Sequence, residues 1–200
     1  MQTVIDREPV HPDAREAQEN LRSILDLMER STRYSTFSGL SGIIAGLASI
    51  GGCLAARTHP GPAGFLAIWA AVIFVAIGSD YMLTKRRAAR VGKLILSRLG
   101  AQMMLAAAPG LGTGALLTIY CLENKLPGLI YPAWMLCYGI AVSAVGPFSQ
   151  REVSLLGAAF LLAGAIALFL PPSAGLPIMA ASFGGFHIFY GLEMCRKDGW

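Results

Sequence analysis

Charge is what this chain has least of. Only 14% of its 200 residues are Asp, Glu, Lys or Arg, against roughly 25% in an ordinary soluble domain. Past about residue 33 those charges retreat into short clusters separated by long neutral stretches. A soluble helical bundle keeps a polar stripe on each helix, and these stretches carry none, which argues against it. Histidine is equally scarce: of His11, His59 and His187, only His187 falls inside an apolar run. One buried imidazole does not supply the two strong axial ligands a cytochrome haem commonly takes, so a haem or other redox role is the weakest reading. The four cysteines lack CxxC or Cys/His spacing, which argues against a zinc site. No GxSxG elbow accompanies His187, and no Asp is placed to orient it. The expectation is a protein with no catalytic constellation, metal or cofactor, and not an enzyme.

What the chain has is apolar length. A membrane helix needs roughly 20 apolar residues to cross the hydrocarbon core. Six runs meet or approach that: 34–56, 64–84, 99–122, 127–149, 153–171 and 174–194. The first, "YSTFSGLSGIIAGLASIGGCLAA", is free of charge altogether. The predicted fold is all-α: an integral membrane bundle of six transmembrane helices over 34–200, preceded by an arm over 1–33. Orientation follows from the basic residues, which favour cytoplasmic loops. With the N-terminus inside, every Lys and Arg except Arg57 and Lys125 falls on the cytoplasmic side. Both termini are therefore expected inside. The net charge of +4 is a by-product of this bias. "KRRAAR" at 85–90 reads as an anchor on anionic lipid headgroups rather than a nucleic-acid contact.

The arm, "HPDAREAQENLRSILDLMERSTR", predicts an amphipathic helix. Asp13 with Glu16 forms a candidate capping box, and Leu21, Ile24, Leu25 and Met28 recur on one face. Asp26 with Arg30 and Glu29 with Arg33 add acid-before-base pairs four residues apart. Its mixed charge favours contact with protein over attraction to lipid. Acids and bases run through residues 1–33 without an apolar core segment, so a secretory leader is not expected there.

Small and polar residues inside the spans point to packing and to sites. Gly39, Gly42 and Gly46 lie on one face of span 1, where close backbone approach makes van der Waals packing effective in lipid. Packing within the bundle is favoured over a dimer interface. Gly110 and Gly114 in span 3 offer a second such face, and Pro109 before them predicts a kink near the bilayer centre. The run "LAAAPGLGTGALL" imitates a phosphate-binding loop, but no strand precedes it and no Lys-Ser/Thr follows. His187 near the middle of span 6, with Asp80 in span 2 and Glu193 in span 6, would line a polar path if those spans are neighbours. Pro109 and Gly110 would border it. The plainer alternative is that His187 bonds a nearby backbone and that the acids pair with Lys85 or Arg196. Spans 2 and 6 also align weakly with each other, suggesting parallel repeats of hairpins 1–2 and 5–6. Cys53 and Cys121 fall near the same face, which leaves a bridge between them open.

Three segments, "LMERSTRYSTFSGLSGIIAGLASIGG", "YPAWMLCYGIAVSAV" and "GGFHIFYGLEMCRK", resemble a group of uncharacterised bacterial six-helix inner-membrane proteins with an N-terminal amphipathic helix. The resemblance implies the bacterial cytoplasmic membrane and supplies no catalytic residues. Taken together, the expected function is a non-enzymatic accessory or regulatory membrane subunit. It would act through protein contact, with a partner or a second copy, by way of the arm and span 1. The alternative is a small-solute or proton-coupled transporter with a path near His187.

Overall fold

The computed structural model describes residues 16, 18–24, 38–59, 61–91 and 98–198. Six helices are long and apolar enough to cross a membrane, and no strand occurs among the described residues. They are α1 (Gly39–Thr58), α2 (Pro62–Val91), α3 (Arg98–Glu123), α4 (Ile130–Val145), α5 (Arg151–Leu168) and a composite sixth span. That last span opens with a 3-10 turn, Pro172–Ala174, followed by α6 (Gly175–Met179). A π-helix, Ala180–Phe186, then leads into α7 (His187–Asp198). The spans therefore fall close to their sequence-predicted positions. Span 5 stops at Leu168, ahead of Pro171 and Pro172, because proline cannot continue the ladder. Of the arm, residues 16 and 18–24 are helical and exposed; the capping box at Asp13 and the apolar positions Leu25 and Met28 lie outside the described residues.

The turns follow local chemistry. Between α1 and α2 the chain passes through Gly61 at φ +143°, a conformation that glycine alone adopts freely. At the end of α3, Lys125 takes φ +57°. The Leu126 N–H reaches back to the Cys121 carbonyl at 2.8 Å, the long-range bond of a Schellman cap. A side chain in the left-handed region costs energy that glycine avoids. Lys125→Gly should therefore raise the unfolding free energy by up to about 1 kcal/mol, read as a higher melting temperature in detergent.

The helices form two sets of three. In one, α1 lies between α2 and the sixth span; in the other, α4 lies between α3 and α5. The hairpins α1–α2, α3–α4 and α4–α5 pack along their lengths, as short loops require. The fifth and sixth spans belong to different sets and meet mainly at the π-helix. Hairpins 1–2 and 5–6 are thus packed differently, unlike the parallel repeats suggested by the sequence.

Each set is drawn together by small residues. A Cβ on Gly46 would lie 2.6 Å from Ile188 Cγ1 and 2.7 Å from the Gly184 carbonyl. One on Gly39 would meet the Gly191 carbonyl, and one on Gly191 the Gly39 carbonyl. The glycine face of span 1 is therefore consumed inside the chain, against span 6. Span 3 does the same with α4: a Cβ on Gly110 would meet the Cys137 carbonyl at 2.7 Å, and one on Gly114 the Trp134 ring at 3.2 Å.

An aromatic seam joins the two sets. Phe160 of α5 is fully buried and contacts Tyr138 of α4 and Phe183, Phe186 and His187 of the sixth span. Ring centroids 4.7 to 5.4 Å apart at steep angles give the edge-to-face geometry that aromatic pairs favour.

Candidate functional site

The centre of this seam is His187, the first residue of α7. A π-helix bonds its backbone at five-residue spacing and is uncommon outside functional or strained positions. Here its exit changes the use of one carbonyl. The His187 backbone N–H bonds Gly184, and the Phe183 carbonyl receives the imidazole Nδ1 at 2.9 Å. A carbonyl only accepts, so Nδ1 carries the proton and Nε2 presents a lone pair. The Tyr138 hydroxyl donates to that lone pair at 2.7 Å. His187 is thus a neutral imidazole with both nitrogens satisfied, walled by Tyr138, Phe160 and Phe183.

Two further polar contacts tie helices together within the bilayer-spanning length. The Trp134 indole N–H donates to Thr118 Oγ1 at 2.7 Å, linking α4 to α3. Thr118 spends its own hydroxyl proton on the Gly114 carbonyl at 2.8 Å. On the other side, Ser41 of α1 meets Asp80 Oδ1 of α2 at 2.8 Å. Where the basic residues cluster, Glu152 of α5 pairs with Lys197 of α7.

The sequence-predicted path is not assembled as drawn. Asp80 bonds α1, and α1 separates α2 from the sixth span. Glu193 pairs with Arg196 at 3.1 Å, the plain interfacial arrangement. Pro109 faces outward, and α3 runs through it as continuous α-helix, with the Pro109 carbonyl capped by Thr113 Oγ1 at 2.8 Å. Gly110 packs against α4 on the side of Cys137 and Ala141. Asp80 does lie within electrostatic reach of the Tyr138 hydroxyl, as does Tyr190.

Sequence reasoning placed His187 and missed its partner. Tyr138 reads as one more packing aromatic, and only the tertiary fold brings positions 49 residues apart together. The Gly184–Gly185 pair just before His187 is the one local signal of an irregular helix. All four cysteines are free thiols, so Cys53 and Cys121 are not bridged. Among the described residues, no cluster of His, Cys, Asp or Glu could hold a metal ion.

Fold and site define the class: an all-helical, multi-pass membrane protein whose two helix triplets are pinned by buried polar pairs. Comparison with family models, with curated proteins and with solved structures returned no match for the chain.

Proposed function

We propose that this protein is a non-enzymatic accessory or regulatory subunit of the bacterial cytoplasmic membrane, with both termini inside, acting through contact with another protein. The observation that supports this best is α2. It packs along α1 and buries none of the residues of its apolar window. Its outward face carries Phe74, 79% exposed, together with Ile77 and Met82. At its end, Lys85 and Arg86 continue the helix into the basic segment. The glycine face of α1 is already used within the chain, which moves the candidate contact surface from α1 to α2. Leu21 and Ile24 of the arm helix, both exposed, are the second apolar face.

A transporter around His187 has less support. Its imidazole is closed in by aromatic rings with both nitrogens bonded, and Glu193 is taken by Arg196.

A benzophenone side chain in place of Phe74, photolysed in native membranes, tests the contact reading. Cross-linking to a protein, either a partner or a second copy, is the expected result. Adducts with lipid alone, from both this position and Leu21, would sink it.

A further inference from the structure

We propose that the π-helix of the sixth span is a register joint, and that the His187 side chain is its lock. A π-helix bonds at five-residue spacing and so takes up one residue more than the α-helical winding it replaces. Everything after it is turned by one residue, about 100°, from where an unbroken α-helix would put it. The wider winding is rare, and it persists where something holds it. The Gly184–Gly185 pair gives the backbone the freedom to take either winding.

His187 supplies the hold. In an α-helix its backbone N–H would bond the Phe183 carbonyl, four residues back. Here that N–H goes to Gly184, and the Phe183 carbonyl takes the ring Nδ1 at 2.9 Å. One residue has exchanged its main-chain donor for its side-chain donor at the same acceptor. A side-chain bond of this span does not by itself unwind a helix, since Thr118 bonds the Gly114 carbonyl inside continuous α3. What differs at His187 is that the backbone N–H has left. Without the ring, the Phe183 carbonyl loses residue 187 as a partner, and the α register is what restores it.

The ring is itself fixed from the other triplet. Tyr138 of α4 bonds its Nε2 at 2.7 Å, and Phe160 of α5 packs against it edge-on. The winding of the sixth span, in the first triplet, thus depends on how the second triplet is seated against it.

The joint decides what α7 presents. With the wider winding in place, Gly184 and Gly191 both lie against α1: a Cβ on Gly184 would meet Ile50, and one on Gly191 the Gly39 carbonyl. Further along, Lys197 reaches Glu152 of α5. Release of the lock lets the segment close to α-helix and turns α7 by one residue, taking Gly191 from Gly39 and Lys197 from Glu152. A hydrogen bond between the triplets is thereby linked to an ion pair at the end of the span. This follows whether or not α2 also meets a partner.

The distance between two spin labels tests the lock on the full-length protein in lipid nanodiscs. The labels replace Leu162 of α5 and Phe189 of α7, both exposed, and enter as unnatural amino acids so that the native thiols stay. His187→Phe keeps an aromatic ring and removes the donor, and it should shift the distance by several ångströms as α7 turns. His187→Asn should keep the wild-type distance, because asparagine can donate to the carbonyl four residues back, as Asn124 does to Tyr120 at 2.9 Å. Deleting Gly185 from the His187→Phe chain should also restore the distance, since an α-helix one residue shorter returns α7 to its original facing. A Cβ at Gly185 would meet nothing within 4 Å, so the deletion removes no packing. If His187 only fills space, the deletion adds to the damage instead. An unshifted distance in His187→Phe overturns the proposal, as does a shift that the deletion leaves uncorrected or one equally large in His187→Asn. Should His187→Phe fail to accumulate, the chain carrying both changes decides: its accumulation with the wild-type distance supports the lock, and its failure overturns it.

Discussion

Gly191→Leu should destabilise the protein by about 3 kcal/mol, the upper end of what overpacking a close-fitted site costs. The reason is the hardness of what surrounds it. A Cβ at this position meets the Gly39 carbonyl, and Ile43 Cγ1 at 2.8 Å. Backbone cannot rotate aside as a flexible side chain can, so α1 and the sixth span must separate. Separation breaks the shared surface along which Gly39, Gly42 and Gly46 lie against α7 and the π-helix. In lipid the loss is not offset by hydrophobic burial, because the acyl chains are as apolar as the helices. Gly112→Leu is the control. A Cβ there meets nothing within 4 Å, and the change should stay within about 0.5 kcal/mol. Unfolding both variants by titration with a denaturing detergent measures the difference. Equal stability would remove the glycine face from the account of how the first triplet holds together.

The second large effect concerns the bond between Tyr138 and His187. Tyr138→Phe leaves the Nε2 lone pair facing aromatic carbon, a stranded acceptor that costs about 1–3 kcal/mol. His187→Phe strands the Tyr138 hydroxyl and also frees the Phe183 carbonyl from its ring N–H. Replacing both removes the stranded pair together, so the double variant should be more stable than the two single losses summed. Interhelical hydrogen bonds in membranes couple by roughly 0.6 kcal/mol on average. Walling by Phe160 and Phe183 shuts out water as a substitute partner, so a coupling above 1 kcal/mol is expected here. A coupling near zero would mean that the two side chains do not depend on each other in the membrane.

How much of this was readable from the sequence varies with distance along the chain. The spans were legible because length and apolar content are local properties, and lipid demands both. The glycines of span 1 were legible as a packing face, since four-residue spacing is also local. Their counterpart was not: Gly184 and Gly191 in span 6 become visible as a complementary surface only when the helices are set side by side. Pro109 was legible as a helix-internal proline, but its setting was not: it sits on an outward face while the inner face at Gly110 is filled by α4. Asp80 stood out in the sequence as an acid within an apolar run, but its neighbour did not. The structure sets it against Ser41, on the preceding span.

The division into two triplets also bears on how the protein is made. The second triplet, α3 to α5, is contiguous in sequence and can assemble as it emerges. The first is not, because α1 and α2 wait for a partner that is synthesised after the second triplet. At typical rates of chain synthesis, the interval between Gly39 and Gly191 corresponds to roughly 8–30 s. During that time the face of α1 bearing Gly39, Gly42 and Gly46 lies bare in the bilayer. The sixth span is therefore the clasp of biogenesis, and a nascent chain that stalls before it presents an unfinished surface to whatever quality control patrols the membrane.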